Sequence, residues 1–261
     1  MRLGLVPSRE HAQAAIAQGR VLVGGAVADR ASRLVSPAEP VEVRSPPRFV
    51  SRGGEKLAAA LDRFRVDVTG RVALDAGAST GGFTDCLLAS GAARVIAVDV
   101  GHGQLHPRLR GDPRVVVLER TNVRHLDAAA LREAAGPSLG APGVDVVTAD
   151  LSFISLTTVA RALTGLVRPG GELVLLVKPQ FEVGRVAASR CKGVVRDPAL
   201  WLESLRSAAS RIEGSGAAIM DVMRSPLTGA SGNTEFFLLA VAGRPSGAAT
   251  DELLRAAVSQ A

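Results

Sequence analysis

Two lysines and two acids stand where this chain passes from one element to the next. Lys56 lies early in an amphipathic stretch, Asp150 ends the run Val144-Asp145-Val146-Val147-Thr148-Ala149, Lys178 ends Leu173–Val177, and Glu235 follows Gly232-Asn233-Thr234 at the head of an apolar segment. In a parallel sheet the tips of adjacent strands open on one crevice, so Asp150 and Lys178 are expected to meet there. An alternating cluster of cations and carboxylates suits the removal of a proton from a hydroxyl: an amine accepts it, a neighbouring cation favours the neutral amine, and carboxylates fix its direction. A neutral alcohol attacks an electrophilic carbon slowly, so group transfer to a hydroxyl needs such a base. Of the 31 cationic side chains only Lys56, Lys178 and Lys192 are lysines, and only an ammonium, not a guanidinium, gives up its proton readily. Any one of the four residues alone reads best as a surface ion pair; all four at element ends do not.

The electrophile's site is expected in the turn Asp75-Ala76-Gly77-Ala78-Ser79-Thr80-Gly81-Gly82-Phe83, which follows the strand Val72-Ala73-Leu74. Glycines let backbone approach a ligand closely and adopt positive φ. A dinucleotide loop has a similar look. The second strand ends at Asp99, where a carboxylate accepts the two hydroxyls of an adenosine ribose. Asp75 would repel a pyrophosphate but attract a cation, which favours the sulfonium of S-adenosyl-L-methionine over a dinucleotide. Methyl transfer to a ribose hydroxyl is then the expected chemistry.

Other chemistries fit less well. Methylation of a base amino group calls for Asn/Asp-Pro-Pro-Tyr/Phe at the fourth strand tip, which here reads Asp150-Leu151-Ser152-Phe153. Cys86 and Cys191 lie apart from that crevice in the linear order, against a cysteine adduct on a pyrimidine, and neither they nor His11, His102, His106 and His125 have metal-ligand spacing, so no metal is expected. The longest apolar stretch, Phe236–Ala242, is far short of the ~20 residues that span a bilayer, and no signal peptide opens the chain. A cytoplasmic location is expected, and a membrane-lysing role is disfavoured for want of a cationic amphipathic helix. The excess of 31 Lys+Arg over 25 Asp+Glu suits a polyanionic partner.

Positioning these residues requires an α/β fold. Strand candidates are Val72–Leu74, Val95–Val98, Val115–Leu118, Val144–Val147, Leu173–Val177 and Glu235–Val241; helix candidates are Gly53–Phe64, Gly82–Ser90, Asp127–Ala135, Leu156–Leu166 and Pro198–Arg211. Apolar strands alternating with helices predict a mostly parallel sheet covered on both faces. Before it, Ser8 caps a helix to about Gln18, Gly19 ends it, and short strands fall at Arg20–Val23 and Val41–Val43. Ser45-Pro46-Pro47-Arg48 is a stiff connection. The expected organisation is residues 1–46, a small α+β domain; 47–52, a linker; 53–245, the α/β domain; and 246–261, a helix or tail.

The runs Ser51-Arg52-Gly53-Gly54-Glu55-Lys56-Leu57, Leu74–Thr84, Val98-Asp99-Val100-Gly101-His102-Gly103-Gln104-Leu105, Asp150–Leu156, Val177–Glu182 and Gly232–Phe237 resemble the TlyA family of haemolysin/ribosomal RNA 2′-O-methyltransferases, an S4 domain followed by an FtsJ-like methyltransferase domain. The resemblance implies a class I, Rossmann-like S-adenosylmethionine-dependent methyltransferase with a mostly parallel sheet and an antiparallel last strand, acting on cytidine ribose in ribosomal RNA or ribosomal subunits, as a monomer. It implies a Lys56-Asp150-Lys178-Glu235 tetrad with Lys178 as base. It places Asp75, Gly77, Ala78, Ser79, Thr80, Gly81, Gly82, Phe83, Asp99, Val100, Thr121, Asn122 and Asp150 around the cofactor. Residues 1–46 resemble an S4-like RNA-binding module, truncated because only seven residues precede Ser8; Arg9, Arg20, Arg30, Arg33 and Arg52 are expected as RNA contacts, and Lys192 in a loop over the pocket. A haemolysin-like membrane-active protein and an RNA base methyltransferase are the alternatives.

Overall fold

The structure is a computed structural model, and it describes residues 3–45, 47–136, 143–184, 191, 193–229, 231–245, 247 and 250–259. Lys192 and Pro46 lie outside the described residues. The chain forms two units, residues 1–48 and 49–261.

In the first unit, helix α1 (Arg9–Ala17) begins where Ser8, extended at φ −145°, accepts a hydrogen bond from the His11 amide through its hydroxyl. Strands β1 (Val21–Val23) and β2 (Ala26–Val27) form a tight hairpin, and β3 (Val41–Val43) pairs antiparallel with β1 on its other edge. Ala15, Val21, Val23 and Ala28 make its small core.

The second unit is built on a seven-stranded sheet. Its strands are β4 (Val72–Ala76), β5 (Arg94–Val98), β6 (Val115–Leu118), β7 (Val144–Ala149), β8 (Val167–Val177), β9 (Ala217–Arg224) and β10 (Phe236–Ala242). They lie in the order β6-β5-β4-β7-β8-β10-β9; β4 to β8 are parallel, and β10 runs antiparallel between β8 and β9. Strand order reverses at β4, with β5 and β6 on one side and β7 and β8 on the other, so the crevice opens where β4 and β7 end.

Side chains alternate across the sheet. Ala73, Val95, Ala97, Val174 and Phe237 face α2 (Arg52–Phe64) and α3 (Gly82–Ala89) in one cluster. Leu74, Ile96, Val98, Val147, Leu175 and Phe236 face α5 (Ala128–Ala135), α6 (Leu156–Leu166), α8 (Pro198–Glu213) and α9 (Thr250–Ser259) in the other. The short helices α4 (Pro107–Arg110) and α7 (Pro179–Glu182) follow β5 and β8. α6 shows how local sequence sets an element. Ser155 caps it by accepting from the Thr157 amide, and Leu156, Val159, Ala160, Leu163 and Leu166 are buried at helical spacing.

The mostly parallel sheet with an antiparallel last strand is as expected. Three features differ. β9 was not anticipated, because this edge strand exposes Met220 and carries the polar Asp221 and Arg224, leaving an apolar run of only Ala217–Met220. β8 starts at Val167 rather than Leu173, since Pro169-Gly170-Gly171 interrupts the pattern and residues 169 and 170 are exposed. Glu235 precedes β10 rather than opening it. The C-terminal segment forms a helix, α9, that buries Leu254 and Ala257 and ties Asp251 to Arg206 and Arg255. No helix among the described residues is long and apolar enough to cross a membrane.

Candidate active site

A cavity of about 660 Å³ lies at the carboxyl ends of β4, β7 and β8, and Lys56, Asp150, Lys178 and Glu235 all line it. Each arrives by a different element. α2 carries Lys56 on the same buried face as Leu57, Ala60 and Leu61; Asp150 and Lys178 follow the last residues of β7 and β8, and Glu235 precedes β10. Lys56 Nζ donates to Glu235 Oε2 at 2.6 Å, with the two residues 7% and 2% exposed. Lys178 Nζ lies 2.5 Å from Asp150 Oδ1 and donates to Ser152 Oγ at 3.0 Å. The cluster is therefore two ion pairs, one joining α2 to β10 across the sheet face and one joining neighbouring strand tips.

The turn after β4 borders the same cavity through Gly77, Ala78, Ser79, Thr80, Gly82 and Phe83. Gly77 has φ +83°, and a Cβ there would stand 2.7 Å from the Asp150 carbonyl oxygen, so only glycine lets the turn pass beneath the β7 tip. Gly82 starts α3 against α2: a Cβ there would meet Ser51 Oγ at 2.2 Å. That close approach keeps the head of α2, and with it Lys56, beside the turn. Gly81 is the N-cap of α3 at φ +98°.

A second hollow of about 530 Å³ shares Gly77, Ser79, Asp150, Ser152 and Phe153 with the first and adds Asp99, Val100, Gln104, Thr121, Asn122 and Ile154. Asp99 braces this wall, accepting from the amides of Ser79 at 2.8 Å and Gly101 at 2.7 Å. Asn122 caps the 3-10 turn Val123–His125 by accepting from the Arg124 amide. Val100, 68% exposed, presents an apolar surface beside these polar groups. Acid, apolar face and backbone amides together suit a nucleoside.

Asp75 lies under the turn and does not line either hollow. It is fully buried; Oδ2 accepts from Thr84 Oγ1 at 2.7 Å, and Oδ1 has no hydrogen-bond partner. Burial pushes its carboxyl up to about 7, a rise that the Thr84 hydroxyl opposes and Asp150 and Asp99 reinforce. Because the folded value exceeds the unfolded one, Asp75 binds a proton more tightly when folded. The associated stability is fully present below pH ~4 and is lost as pH rises through about 7, on the order of 4 kcal/mol in all. Asp75→Asn, which cannot ionise, is expected to melt above the parent at pH 8 and to converge with it at pH 4. A difference that does not grow with pH contradicts this account.

The expected RNA contacts are divided between the two units. Arg52 lines the main cavity and donates to the Thr228 carbonyl. Arg9, Arg20, Arg30 and Arg33 belong to the first unit. Arg20 is engaged by Gln18 and the Arg44 carbonyl, Arg30 lies 3.6 Å from Asp29, and Arg33 lies 4.0 Å from Glu39.

Sequence reasoning singled out neither Phe153 nor Phe181. Phe153 is 92% exposed at the mouth of both hollows and holds a left-handed φ of +63°, with its ring tilted on Phe181 at 5.3 Å. Both residues lay inside runs already noted. Nothing in a linear sequence marks a phenylalanine as left-handed. Asn233, nearly buried, fixes the rear of the cavity by accepting from the Val195 amide and donating to the Gly193 carbonyl.

Residues 49–241 match the family model described as FtsJ-like methyltransferase, and residues 1–41 match that of the S4 domain. The chain is 48% identical over 240 residues to the 16S/23S rRNA (cytidine-2′-O)-methyltransferase TlyA of Mycobacterium tuberculosis, covering 91% of this chain and 86% of that one. It is 38% identical over 233 residues to Hemolysin A of Brachyspira hyodysenteriae, covering 89% and 93%. A solved structure from Streptococcus thermophilus is similar with a TM-score of 0.74 and 32% identity, over 99% of this chain and 93% of that one.

Proposed function

The chain belongs to the FtsJ-like methyltransferase family, and we propose that it is an S-adenosylmethionine-dependent 2′-O-methyltransferase of ribosomal RNA, acting at cytidine ribose, with Lys178 as the general base. The observation that carries the reading is that two lysine–carboxylate pairs and the glycine turn open on one cavity. The relatives' substrate, and the S4 match of residues 1–41, support RNA as the partner and a cytoplasmic setting.

The residues present fit the cofactor. Asp99, Val100, Thr121 and Asn122 would hold the adenosine, and the turn from Gly77 to Phe83 the methionine portion. Beneath that turn, Asp75 is buried and accepts from the Thr84 hydroxyl, so it supports the turn from below and does not present a charge to the cofactor. S-adenosylmethionine, when bound, supplies a methyl group on a sulfonium, open to attack by oxygen. Lys178, acting as the free amine after its own proton has left to solvent, receives the proton of the ribose 2′-hydroxyl at Nζ. Asp150 and Ser152 hold that nitrogen from the side, limiting its rotation. The Lys56 ammonium, fixed by Glu235, favours the developing alkoxide on the same wall. Arg52 would pair with a phosphate of the RNA at the cavity rim.

Two outcomes follow from particular positions. Gly77→Ala is expected to lower cofactor affinity at least tenfold by calorimetry, because the new Cβ forces the turn away from Asp150; unchanged affinity would remove the turn from the cofactor site. Phe153 spends backbone strain, of the order of 1–2 kcal/mol for a left-handed residue, to expose an aromatic ring. A base stacked on it would gain ~1–3 kcal/mol. Phe153→Gly is accordingly expected to raise the melting temperature and to raise KM for RNA about tenfold. A lower melting temperature with unchanged KM would count against a substrate role.

The reaction type is tested by incubating ribosomal subunits with the protein and radiolabelled cofactor, then digesting the RNA. Label in nuclease-resistant 2′-O-methyl dinucleotides is the expected result. Label recovered only in methylated bases would refute ribose methylation.

A further inference from the structure

One carboxylate outside the tetrad ties together the two segments that carry Lys178 and Asp150. Glu182, the last residue of α7, accepts from the Leu156 amide at 2.8 Å through Oε1 and from the Ser155 hydroxyl through Oε2. Burial raises the pKa of its carboxyl, and the donors from Ser155, Leu156 and Thr157 restrain that rise. These donors are the cap and first amides of α6, so the carboxylate sits at the positive end of an 11-residue helix.

The segment from Asp150 to Ser155 is closed onto the segment after β8 at several points from one end to the other. Asp150 pairs with Lys178, Ser152 accepts from Lys178, Phe153 packs on Phe181, and Ser155 and Leu156 donate to Glu182. Within this zipper Phe153 holds a left-handed conformation that a free loop would shed. At the near end, the Asp150 amide is fixed by the Ala76 carbonyl at 3.0 Å. Glu182 fixes the far end. It lines neither hollow, so it meets neither cofactor nor ribose.

We infer that Glu182 is a positioning residue, the clasp that keeps Asp150 and Ser152 aimed at the Lys178 amine. The inference rests on Lys178 being the base. Among the described residues the loop between β7 and α6 has no other bond from a carboxylate of the β8 side, and without Glu182 its far end keeps the Ser155 cap and the ring contact. Lys178 then turns among more rotamers, and the fraction aimed at the hydroxyl falls.

The test compares Glu182→Ala, Glu182→Gln and Ser155→Ala in the full-length protein. Glu182→Ala is expected to lower kcat at least tenfold, with KM for RNA and Kd for S-adenosylmethionine within twofold of the parent. Glu182→Gln, whose amide oxygen can accept from Leu156 and whose amino group can donate to Ser155, is expected to restore kcat to within threefold. Ser155→Ala, which keeps the fold more surely, should fall between. A second readout is independent of catalysis. The chain has only three lysines, so labelling by an amine-specific reagent can be assigned by mass spectrometry, and Lys178, now nearly buried, should label at least fivefold faster in Glu182→Ala while Lys56 does not change.

A Glu182→Ala protein with parental kcat and parental Lys178 labelling would overturn the inference. So would a loss in which kcat, KM and cofactor affinity worsen together and Glu182→Gln is no better, since that pattern marks a structural role alone. If labelling shifts as expected but no variant changes methyl transfer, the clasp stands and Lys178 is not the base.

Discussion

Replacing Lys178 by alanine is expected to reduce methyl transfer by a factor of roughly 10²–10⁴, the usual worth of a positioned general base, while Kd for S-adenosylmethionine stays within about threefold. The separation follows from the geometry. The second hollow is lined by Asp99, Val100, Thr121 and Asn122 and does not include Lys178, so adenosine binding does not depend on the amine. Lys178→Arg is the sharper variant. It keeps the charge and can still pair with Asp150, but a guanidinium does not surrender its proton under these conditions. It is therefore expected to be as slow as alanine. Single-turnover kinetics on ribosomal subunits, alongside calorimetric titration of the cofactor, would measure both quantities. An arginine variant that retains a tenth or more of the parental rate would show that Lys178 acts through its charge and not as a base.

The second large effect is on stability. Lys56 and Glu235 are nearly buried and 179 residues apart in sequence, and their 2.6 Å contact spans α2 and the approach to β10. Removing one partner of a buried pair strands the other charge, at a cost of ~3–5 kcal/mol. Glu235→Leu is expected to lower the melting temperature by roughly 10 °C, at 2–4 °C per kcal/mol for a domain of this size. The double variant Lys56→Met/Glu235→Leu should recover most of that loss, since replacing both charges with apolar groups of similar volume is often neutral or better. It should nonetheless remain almost inactive, because the cation facing the alkoxide is gone. Thermal scans of the parent, Glu235→Leu, Lys56→Met and the double variant complete a double-mutant cycle, and additive losses would show that the two side chains do not sense each other.

How much of this was open to a reader of the sequence depended on how local each signal was. Helices such as Leu156–Leu166 and strands such as Val144–Ala149 declare themselves by spacing. β9 does not, because its apolar run Ala217–Met220 is short, half alanine and broken by Asp221, and α4 and α7 are too short to show a helical period. Asp150 and Lys178 were identifiable because they follow the ends of apolar strands, whereas Lys56 within a helix and Glu235 before a strand carry a weaker local signal. The meeting of Lys178 with Asp150 was legible too, from adjacent strand tips; the pairing of Lys56 with Glu235 was not, since it depends on how α2 packs against the approach to β10. Asp75 is the clearest case of a signal that sequence leaves open. A strand-ending aspartate reads the same whether its carboxylate faces a cavity or is buried against Thr84, yet only the second raises its pKa to about 7. Asp99 was expected to face a ribose, and it also braces the turn through the Ser79 and Gly101 amides, which only the folded loop reveals.

Ribose methylation by Lys178 can be read in cells by mapping 2′-O-methyl groups across ribosomal RNA from strains that carry the parental protein, the Lys178→Ala variant, or neither. At least one cytidine is expected to be methylated at its ribose only with the parental protein, and bare in both other strains. An identical map in all three strains would contradict this, as would a site that persists with Lys178→Ala at parental occupancy.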